Sequence, residues 1–92
     1  MRTIRYENSF KKDLKKIKKR SYDLEKIKAV INMLANDIEL PVEYRDHDLA
    51  GKYKSRGIRE WHIEPDWLLM YIKDNEELTL ILVKTGTHSD LF

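Results

Sequence analysis

Three histidines and a neighbouring aspartate are the side chains of this sequence best suited to moving protons near neutral pH. They are His47, His62, Asp66 and His88. An imidazole titrates near pH ~6.5, so it can act both as a general base and as a general acid. His62 comes just before residues 64–66, Glu-Pro-Asp, which are typical of a turn because proline sets the backbone angle at a turn's second position. The spacing is therefore compatible with an acid/base site beside a turn.

The strands of the second half are the elements that must position these groups. Runs of β-preferring residues predict strands over residues 58–63, 67–72 and 78–83, with a weaker edge strand over 52–55. In an antiparallel meander the first of these strands ends beside the start of the second, and the third returns to the same edge. That edge is predicted to gather His62, Asp66, Trp67, Lys84 and His88. The loop over residues 37–51, which carries His47, can close over them.

Such a group of side chains suits cleavage of an RNA phosphodiester. The ribose 2′-OH can attack its own phosphate, so one base and one acid suffice, and neither a metal nor a cofactor is required. Lys84 would offer a cation to a phosphate oxygen. The rings of Trp67 and Phe92 would offer flat faces for bases, and such stacking contributes about 1–3 kcal/mol per base.

The first third of the chain predicts a strand followed by a helical hairpin. Residues 3–6 alternate polar and apolar side chains, as a short strand does. Asn8 or Ser9 can cap the first helix, and Asp23 can cap the second. Apolar residues recur at helical spacing along the first helix, at Phe10, Leu14 and Ile17.

Charge is unevenly distributed along the chain. Residues 1–30 carry 11 Lys or Arg and 4 Asp or Glu, whereas residues 31–92 carry 7 and 12. A basic helix indicates a polyanion or an acidic protein as a partner, and the residues predicted to contact it are Lys11, Lys15 and Lys18. The alternative is that these lysines form an ordinary solvated helix face.

Length and composition indicate one domain over residues 1–92, and the order of its predicted elements indicates an α+β fold. The expected order is an N-terminal strand, a helical hairpin and a three- to four-stranded, largely antiparallel sheet. Hydrophobic residues make up 41% of the chain, yet no apolar run approaches the ~18–20 residues of a membrane span, so no membrane partner is expected. The chain has no cysteine, which excludes disulfides and thiolate chemistry. With no export signal, the cytoplasm is the expected location.

Other interpretations of the same residues remain open at this point. A single histidine is usually a surface or hydrogen-bonded residue, and a buried tryptophan such as Trp61 or Trp67 is more often part of a core than of a binding site. Three histidines can also form a zinc site, but the gaps of 15 and 26 residues between them match no local ligand motif.

Three segments in the second half resemble those of one known family. Residues 44–51, YRDHDLAG, resemble the pattern Y-K-D-H-P-L-x-G of YafQ-type toxins in the RelE/ParE superfamily. Residues 59–67, REWHIEPDW, resemble the pattern R-[DE]-x-H-[VIL]-E-P-D-W, and residues 85–92, TGTHSDLF, resemble T-G-T-H-x-x-L-F. The segments follow in the same order at compatible spacing, whereas the first third matches only as a strand and two charged helices.

The resemblance implies a function and a set of site residues. It implies a ribosome-dependent endoribonuclease that cuts mRNA in the ribosomal A site, near rRNA, and a cognate antitoxin that neutralises it. Matched by motif, His62, Asp66 and His88 would share the acid and base roles. The remaining matched residues would bind the phosphate or pack against bases, and they are His47, Lys84, Trp67 and Phe92.

Two residues depart from the family pattern. Lys84 stands where arginine is usual, which keeps the charge but loses the planar fork that grips phosphate at two points. Asp48 stands where proline is usual, beside His47, and adds a negative charge. Two rival functions also fit: a ParE-like gyrase inhibitor, which needs no acid/base set, and a catalytically silent module that binds an antitoxin or nucleic acid.

Overall fold

A computed structural model of the chain describes residues 1–38, 47–48 and 56–92. The predicted edge strand over residues 52–55, and most of the predicted loop over residues 37–51, lie outside the described residues. The helices and strands run in the order β1 Thr3–Tyr6, α1 Asn8–Lys19, α2 Leu24–Ala35, β2 His47–Asp48, β3 Arg59–Glu64, β4 Trp67–Asp74, β5 Thr79–Gly86 and α3 His88–Leu91.

The strands form one five-stranded sheet in the order β1-β5-β4-β3-β2. Strands β2, β3, β4 and β5 pair with one another in antiparallel fashion, while β1 pairs parallel to β5 at the edge of the sheet. A parallel neighbour requires a long crossover connection, which begins with α1 and α2. The predicted α+β fold is confirmed, and the opening strand joins the sheet as its fifth member.

Both faces of the sheet are covered by apolar side chains. On one face α1 and α2 contribute Phe10, Ile17, Ile27 and Leu34 to a core that they share with side chains of β3, β4 and β5. The opposite face carries a smaller cluster, which includes Leu68, Met70, Ile81, Val83 and Leu91. Alternate residues of β4 therefore enter different clusters, as the two-residue period of a strand requires. The single-turn helix α3 packs on this second face through Leu91.

The predicted caps are correct for one helix and wrong for the other. Asp23 caps α2, because its side chain accepts a hydrogen bond from the amide of Glu25. At α1 the N-cap is Glu7, which makes no side-chain cap bond. Ser9 instead lies in the first turn and donates its hydroxyl proton to the carbonyl of Val83, at 2.6 Å. This hydroxyl therefore ties α1 to β5 rather than starting the helix.

None of the helices in the described ranges is both long and apolar enough to cross a bilayer.

Candidate active site

His88 and Asp66 form an exposed part of the candidate site, with side chains 51% and 67% exposed. Asp66 lies in the turn between β3 and β4, and His88 opens α3 directly after β5. The Asp66 Oδ1 atom lies 2.8 Å from the Nδ1 atom of His88 and accepts a second hydrogen bond from the His88 backbone N–H, at 3.1 Å. The hydrogen bond from the His88 ring, followed by that from its backbone, lowers the pKa of the Asp66 carboxyl below its usual range. An ionised carboxylate can only accept, so this contact favours the neutral ring with its proton on Nδ1 and its lone pair on Nε2.

His62 has a carboxylate partner of its own, and this partner is buried. Its Nε2 atom lies 2.7 Å from the Oε1 atom of Glu60, and the two side chains are 15% and 6% exposed. Residues two apart on a strand point to the same face, so β3 itself aligns the pair. Glu60 did not appear among the predicted site residues, although its spacing from His62 is the signal that would have found it.

The two histidine rings face each other across the end of the sheet. Their centroids are 5.8 Å apart, with an angle of 51° between the ring planes. The strand register explains the approach: Leu68 of β4 pairs with His62 on one side and with Gly86 on the other, two residues before His88. The sequence prediction that the meander gathers His62, Asp66 and His88 at one edge is confirmed.

A β-bulge determines the face on which Lys84 lies. In the ladder between β4 and β5, Met70 pairs with Lys84 but Tyr71 pairs with Leu82, so Val83 is an extra residue. Met70 also pairs with Glu60 of β3. Cross-strand partners share a face, so the bulge turns Lys84 to the face of Glu60 and His62.

Helix α1 stabilises this bulge from the opposite side of the sheet. The hydroxyl of Ser9 donates to the carbonyl of Val83, and the Oδ2 atom of Asp13 accepts from the backbone N–H of Thr85, at 3.2 Å. These two side chains are four residues apart and therefore lie on one face of α1. They supply partners to backbone groups on both sides of Lys84.

His47 and Phe92, two further predicted site residues, lie at different places around the histidine pair. His47 pairs through its backbone with Glu60, in the same cross-strand row as Met70 and Lys84, and its side chain lies outside the described part of the structure. Phe92 is 63% exposed, with its ring centroid 6.2 Å from that of His88. Phe92 is therefore available to a base beside the histidines.

Trp67 does not lie where the stacking prediction requires. Its side chain is 1% exposed and belongs to the helix-side core, where its ring packs edge-to-face with that of Tyr22. The centroids of the two rings are 5.0 Å apart. The Nε1–H group donates to the hydroxyl of Thr85 at 3.0 Å, and that hydroxyl donates to the carbonyl of Leu68 at 2.7 Å. A base cannot stack on this ring, so the predicted contact is wrong and Trp67 supports the site from below.

We expect the substitution Trp67→Phe to lower stability and to leave chemistry intact. The buried indole would lose its hydrogen bond and leave a cavity, which together cost about 1–3 kcal/mol in the free energy of unfolding. Urea denaturation would measure this loss. Catalytic activity per folded molecule should stay within about twofold of wild type, because the ring lies in the helix-side core and not on the face of the sheet that carries His62. A large fall in cleavage at unchanged stability would contradict this placement.

The lysines of α1 lie outside the histidine cluster. Lys11, Lys15 and Lys18 are exposed and follow one another at helical spacing on the solvent side of α1. A second exposed stripe on the same helix consists of Lys12, Lys16 and Lys19. The helix therefore presents two parallel rows of ammonium groups.

The geometry provides two proton-transfer groups at one point, each hydrogen-bonded to a carboxylate. Among the described residues, no group of three His, Asp or Glu side chains is arranged to hold a metal ion. The described site can therefore carry out acid/base chemistry on a substrate that binds between the rings of His62 and His88. The exposed ring of Phe92 lies beside His88 and can contact the same substrate.

Comparison with known proteins gives relatives that match along nearly the whole chain. The mRNA interferase toxin YafQ of Escherichia coli K12 is 42% identical over 92 residues, covering 99% of this chain and 96% of the relative. A metal-bound toxin from Helicobacter pylori has a solved structure that matches with a TM-score of 0.91 and 42% identity, covering both chains completely. A third match is the toxin in the E. coli DinJ–YafQ toxin–antitoxin complex, with a TM-score of 0.86 and 40% identity over 99% of this chain and 97% of that one.

The sequence profile of a single family also matches residues 2–92, and its description is the bacterial toxin of type II toxin–antitoxin system, YafQ. This match includes the first third of the chain, where the sequence resembled the family only in its pattern of elements. The fold, the family profile and the relatives agree with the resemblance found in the three motifs. The chain belongs to the YafQ family of bacterial type II toxins.

Proposed function

We propose that this chain is an endoribonuclease that cleaves mRNA in the ribosomal A site and thereby stops translation. The observation that carries the proposal is the pair of facing imidazoles, 5.8 Å apart, each hydrogen-bonded to a carboxylate. The E. coli relative named an mRNA interferase supports it, because this chain is 42% identical to that protein. A gyrase inhibitor would have no use for this acid/base pair.

The reaction requires one proton to be removed and one to be supplied. One imidazole takes the proton of the ribose 2′-OH, and the oxygen attacks the adjacent phosphorus. The bond from phosphorus to the 5′ oxygen breaks, and the second imidazole protonates that leaving oxygen. The products are a 2′,3′-cyclic phosphate and a 5′-OH end. Asp66 and Glu60 keep the rings in the required tautomers.

The remaining site residues bind the substrate rather than move its protons. Lys84 lies on the substrate face and stabilises the negative charge that develops on the phosphate. Phe92 packs against a base beside His88. His47, whose backbone is paired to Glu60, helps to position the phosphate.

This mechanism uses only groups of the chain itself and proceeds without a metal. One solved relative is a metal-bound toxin, but the described residues of this chain do not include three grouped ligands of the kind a bound ion needs. Cleavage should therefore continue at the same rate in the presence of EDTA. The EDTA is added together with enough magnesium to keep the ribosomes intact, and it still removes zinc and copper because it binds them more tightly than magnesium. A loss of activity that added zinc or copper restores would contradict metal independence.

The experiment that tests the activity is sequencing of mRNA 5′ ends after induced expression in bacteria. Ribosome-dependent cleavage predicts cuts that keep the reading frame and fall within codons of translated messages. The same purified protein should cleave an mRNA on programmed ribosomes and leave the free mRNA intact. Cuts that ignore the reading frame, or equal cleavage of free RNA, would contradict the requirement for the ribosome.

The lysines of α1 are proposed to bind rRNA beside the A site. We expect the triple substitution of Lys11, Lys15 and Lys18 to glutamine to weaken ribosome binding and to reduce its dependence on salt. Neutralising phosphates releases counterions, so each lost contact lowers the slope of log affinity against log salt by about 1. The measurement is ribosome binding across a range of potassium concentrations.

The matched control for that variant is already present on the same helix. Substituting Lys12, Lys16 and Lys19 removes the same charge from the neighbouring stripe. If both triple variants lose affinity equally, the lysines act only through overall charge, and the assignment to Lys11, Lys15 and Lys18 is wrong.

The proposal includes a cognate antitoxin as the protein partner. The solved complex in which E. coli YafQ is bound to DinJ supports this, because this chain is 40% identical to that toxin over 99% of its length. Growth arrest caused by the chain should be relieved when its own antitoxin is expressed with it. The place of action is the cytoplasm, where translating ribosomes are found.

A further inference from the structure

The helix that carries His88 is too short to be stable by itself. α3 spans four residues, His88–Leu91, and its C-cap is Phe92. An isolated helix of one turn does not form in water, because the conformational entropy lost in nucleation outweighs the stabilisation from one turn of hydrogen bonds. The position of the His88 ring therefore depends on contacts that hold α3 to the rest of the protein.

Asp90 supplies several of these contacts. Its carboxylate accepts a hydrogen bond from the backbone N–H of Thr87, at 2.9 Å, while its own N–H donates to the Thr87 hydroxyl. The same carboxylate also closes over the end of β5: a Cβ atom placed on Gly86 would lie 2.9 Å from the Cβ of Asp90. Only a glycine at position 86 leaves room for this arrangement.

The carboxylate of Asp90 also forms an ion pair with a residue at the end of α1. Arg20, at the C-terminal end of α1, donates from Nη1 and Nη2 to the two carboxylate oxygens of Asp90, at 2.6 and 3.1 Å. The guanidinium, together with the Thr87 amide, holds the pKa of the Asp90 carboxyl well below its usual range. The bridge thus remains ionised at every pH at which an imidazole titrates.

We propose that Arg20 and Asp90 are a positioning pair that ties α3 to the C-terminal end of α1 and keeps the His88 ring opposite His62. The inference rests on the proposed function, since it assumes that His88 moves a proton. Asp90 is two residues after His88 on a single turn, so a shift of its carboxylate would move the backbone of His88 as well. Neither Arg20 nor Asp90 is assigned a direct contact with RNA.

The structure predicts that this bridge affects chemistry more than overall stability. Arg20 is 42% exposed and Asp90 22% exposed, and ion pairs in such surroundings add little to global folding. The buried side chain of Leu91 is a second anchor of α3 on the sheet, and it does not depend on a direct contact with the bridge. What changes is the local opening of α3, on which the alignment of His88 depends.

The test compares Arg20→Ala with Lys19→Ala, which removes the same charge one residue earlier. Lys19 makes no ion pair with any residue that the structure describes. For Arg20→Ala we expect kcat on programmed ribosomes to fall about 10-fold relative to Lys19→Ala, with KM unchanged within about twofold. The Tm should match that of the control, and the amides of Leu91 and Phe92 should exchange faster with solvent.

Two further variants separate positioning from a general loss of charge. Arg20→Lys keeps the cation but not the two-point contact, so it should restore only part of kcat. Adding Asp90→Asn to Arg20→Ala should cause little further loss, because both changes break the same bridge. If the losses in kcat of Arg20→Ala and Asp90→Asn, each measured alone, add up in the double variant, the two residues act separately.

His88→Ala, assayed in parallel, distinguishes the two possible failures. If His88→Ala is inactive while Arg20→Ala equals Lys19→Ala in kcat, the positioning role alone is wrong. If His88→Ala retains wild-type activity, the proposed catalytic role fails, and the positioning role fails with it. A fall in kcat that disappears when the rate is corrected for the unfolded fraction would also overturn the inference.

Discussion

The His88→Ala variant is expected to lose about 10²–10⁴-fold in the rate of mRNA cleavage, which is the usual contribution of one general acid or base. The fold should survive, because the ring is half exposed and the contacts it loses, with Asp66, His62 and Phe92, lie outside the two apolar cores. Expression of the variant without antitoxin should no longer arrest growth. Single-turnover cleavage on programmed ribosomes, with wild-type circular dichroism and Tm, provides the measurement.

Ser89→Ala is the matched control, since Ser89 is the next residue of α3 and its side chain is exposed. It should cleave at the wild-type rate. His62→Ala is expected to show a loss of the same order as His88→Ala, and the double variant little more, because residues that act as a unit are not additive. If both single variants remain fully toxic, the catalytic assignment is wrong.

The sequence predicts correctly that His62 and His88 meet, but it does not predict on which face of the sheet the ring of Trp67 lies. His62, Asp66 and His88 each lie next to a strand end, and an antiparallel meander brings strand ends together whatever the details of packing. The placement of Trp67 depends instead on which face of β4 it occupies. Every residue from Trp67 to Tyr71 is buried because the sheet is covered on both faces. A strand without alternation of polar and apolar residues gives no signal of its faces.

The position of Lys84 illustrates a second limit. By strict alternation from Leu82 its side chain would point towards α1 and α2, and only the extra residue Val83 turns it to the substrate face. The bulge is stabilised by Ser9 and Asp13, some 70 residues earlier in the chain. Side chains so distant in sequence carry no local pattern, so the register, unlike the existence of the strand, could not be predicted.

The Asp66→Asn variant is expected to lose about 10- to 100-fold in cleavage and to keep the shape of the wild-type pH profile. Asparagine can donate as well as accept, so it no longer fixes the proton on Nδ1 of His88, and part of the population adopts the unproductive tautomer. The expected loss is smaller than for a buried carboxylate, because the Asp66 side chain is 67% exposed. The measurement is the single-turnover rate between pH 5 and 8.

The sign of the pH effect follows from the lowered pKa of Asp66. In the folded protein this pKa lies below the ordinary 3.8, so the contact with His88 is fully formed above that value and is lost only as the pH falls through the lower, folded pKa. Across pH 5–8 Asp66 therefore stays ionised, and any limb of the rate profile there belongs to another group. Removing the carboxylate should lower the plateau, and the limb should still be present. If the limb itself disappears in Asp66→Asn, Asp66 exchanges protons with the substrate, and the orienting role assigned to it here is wrong.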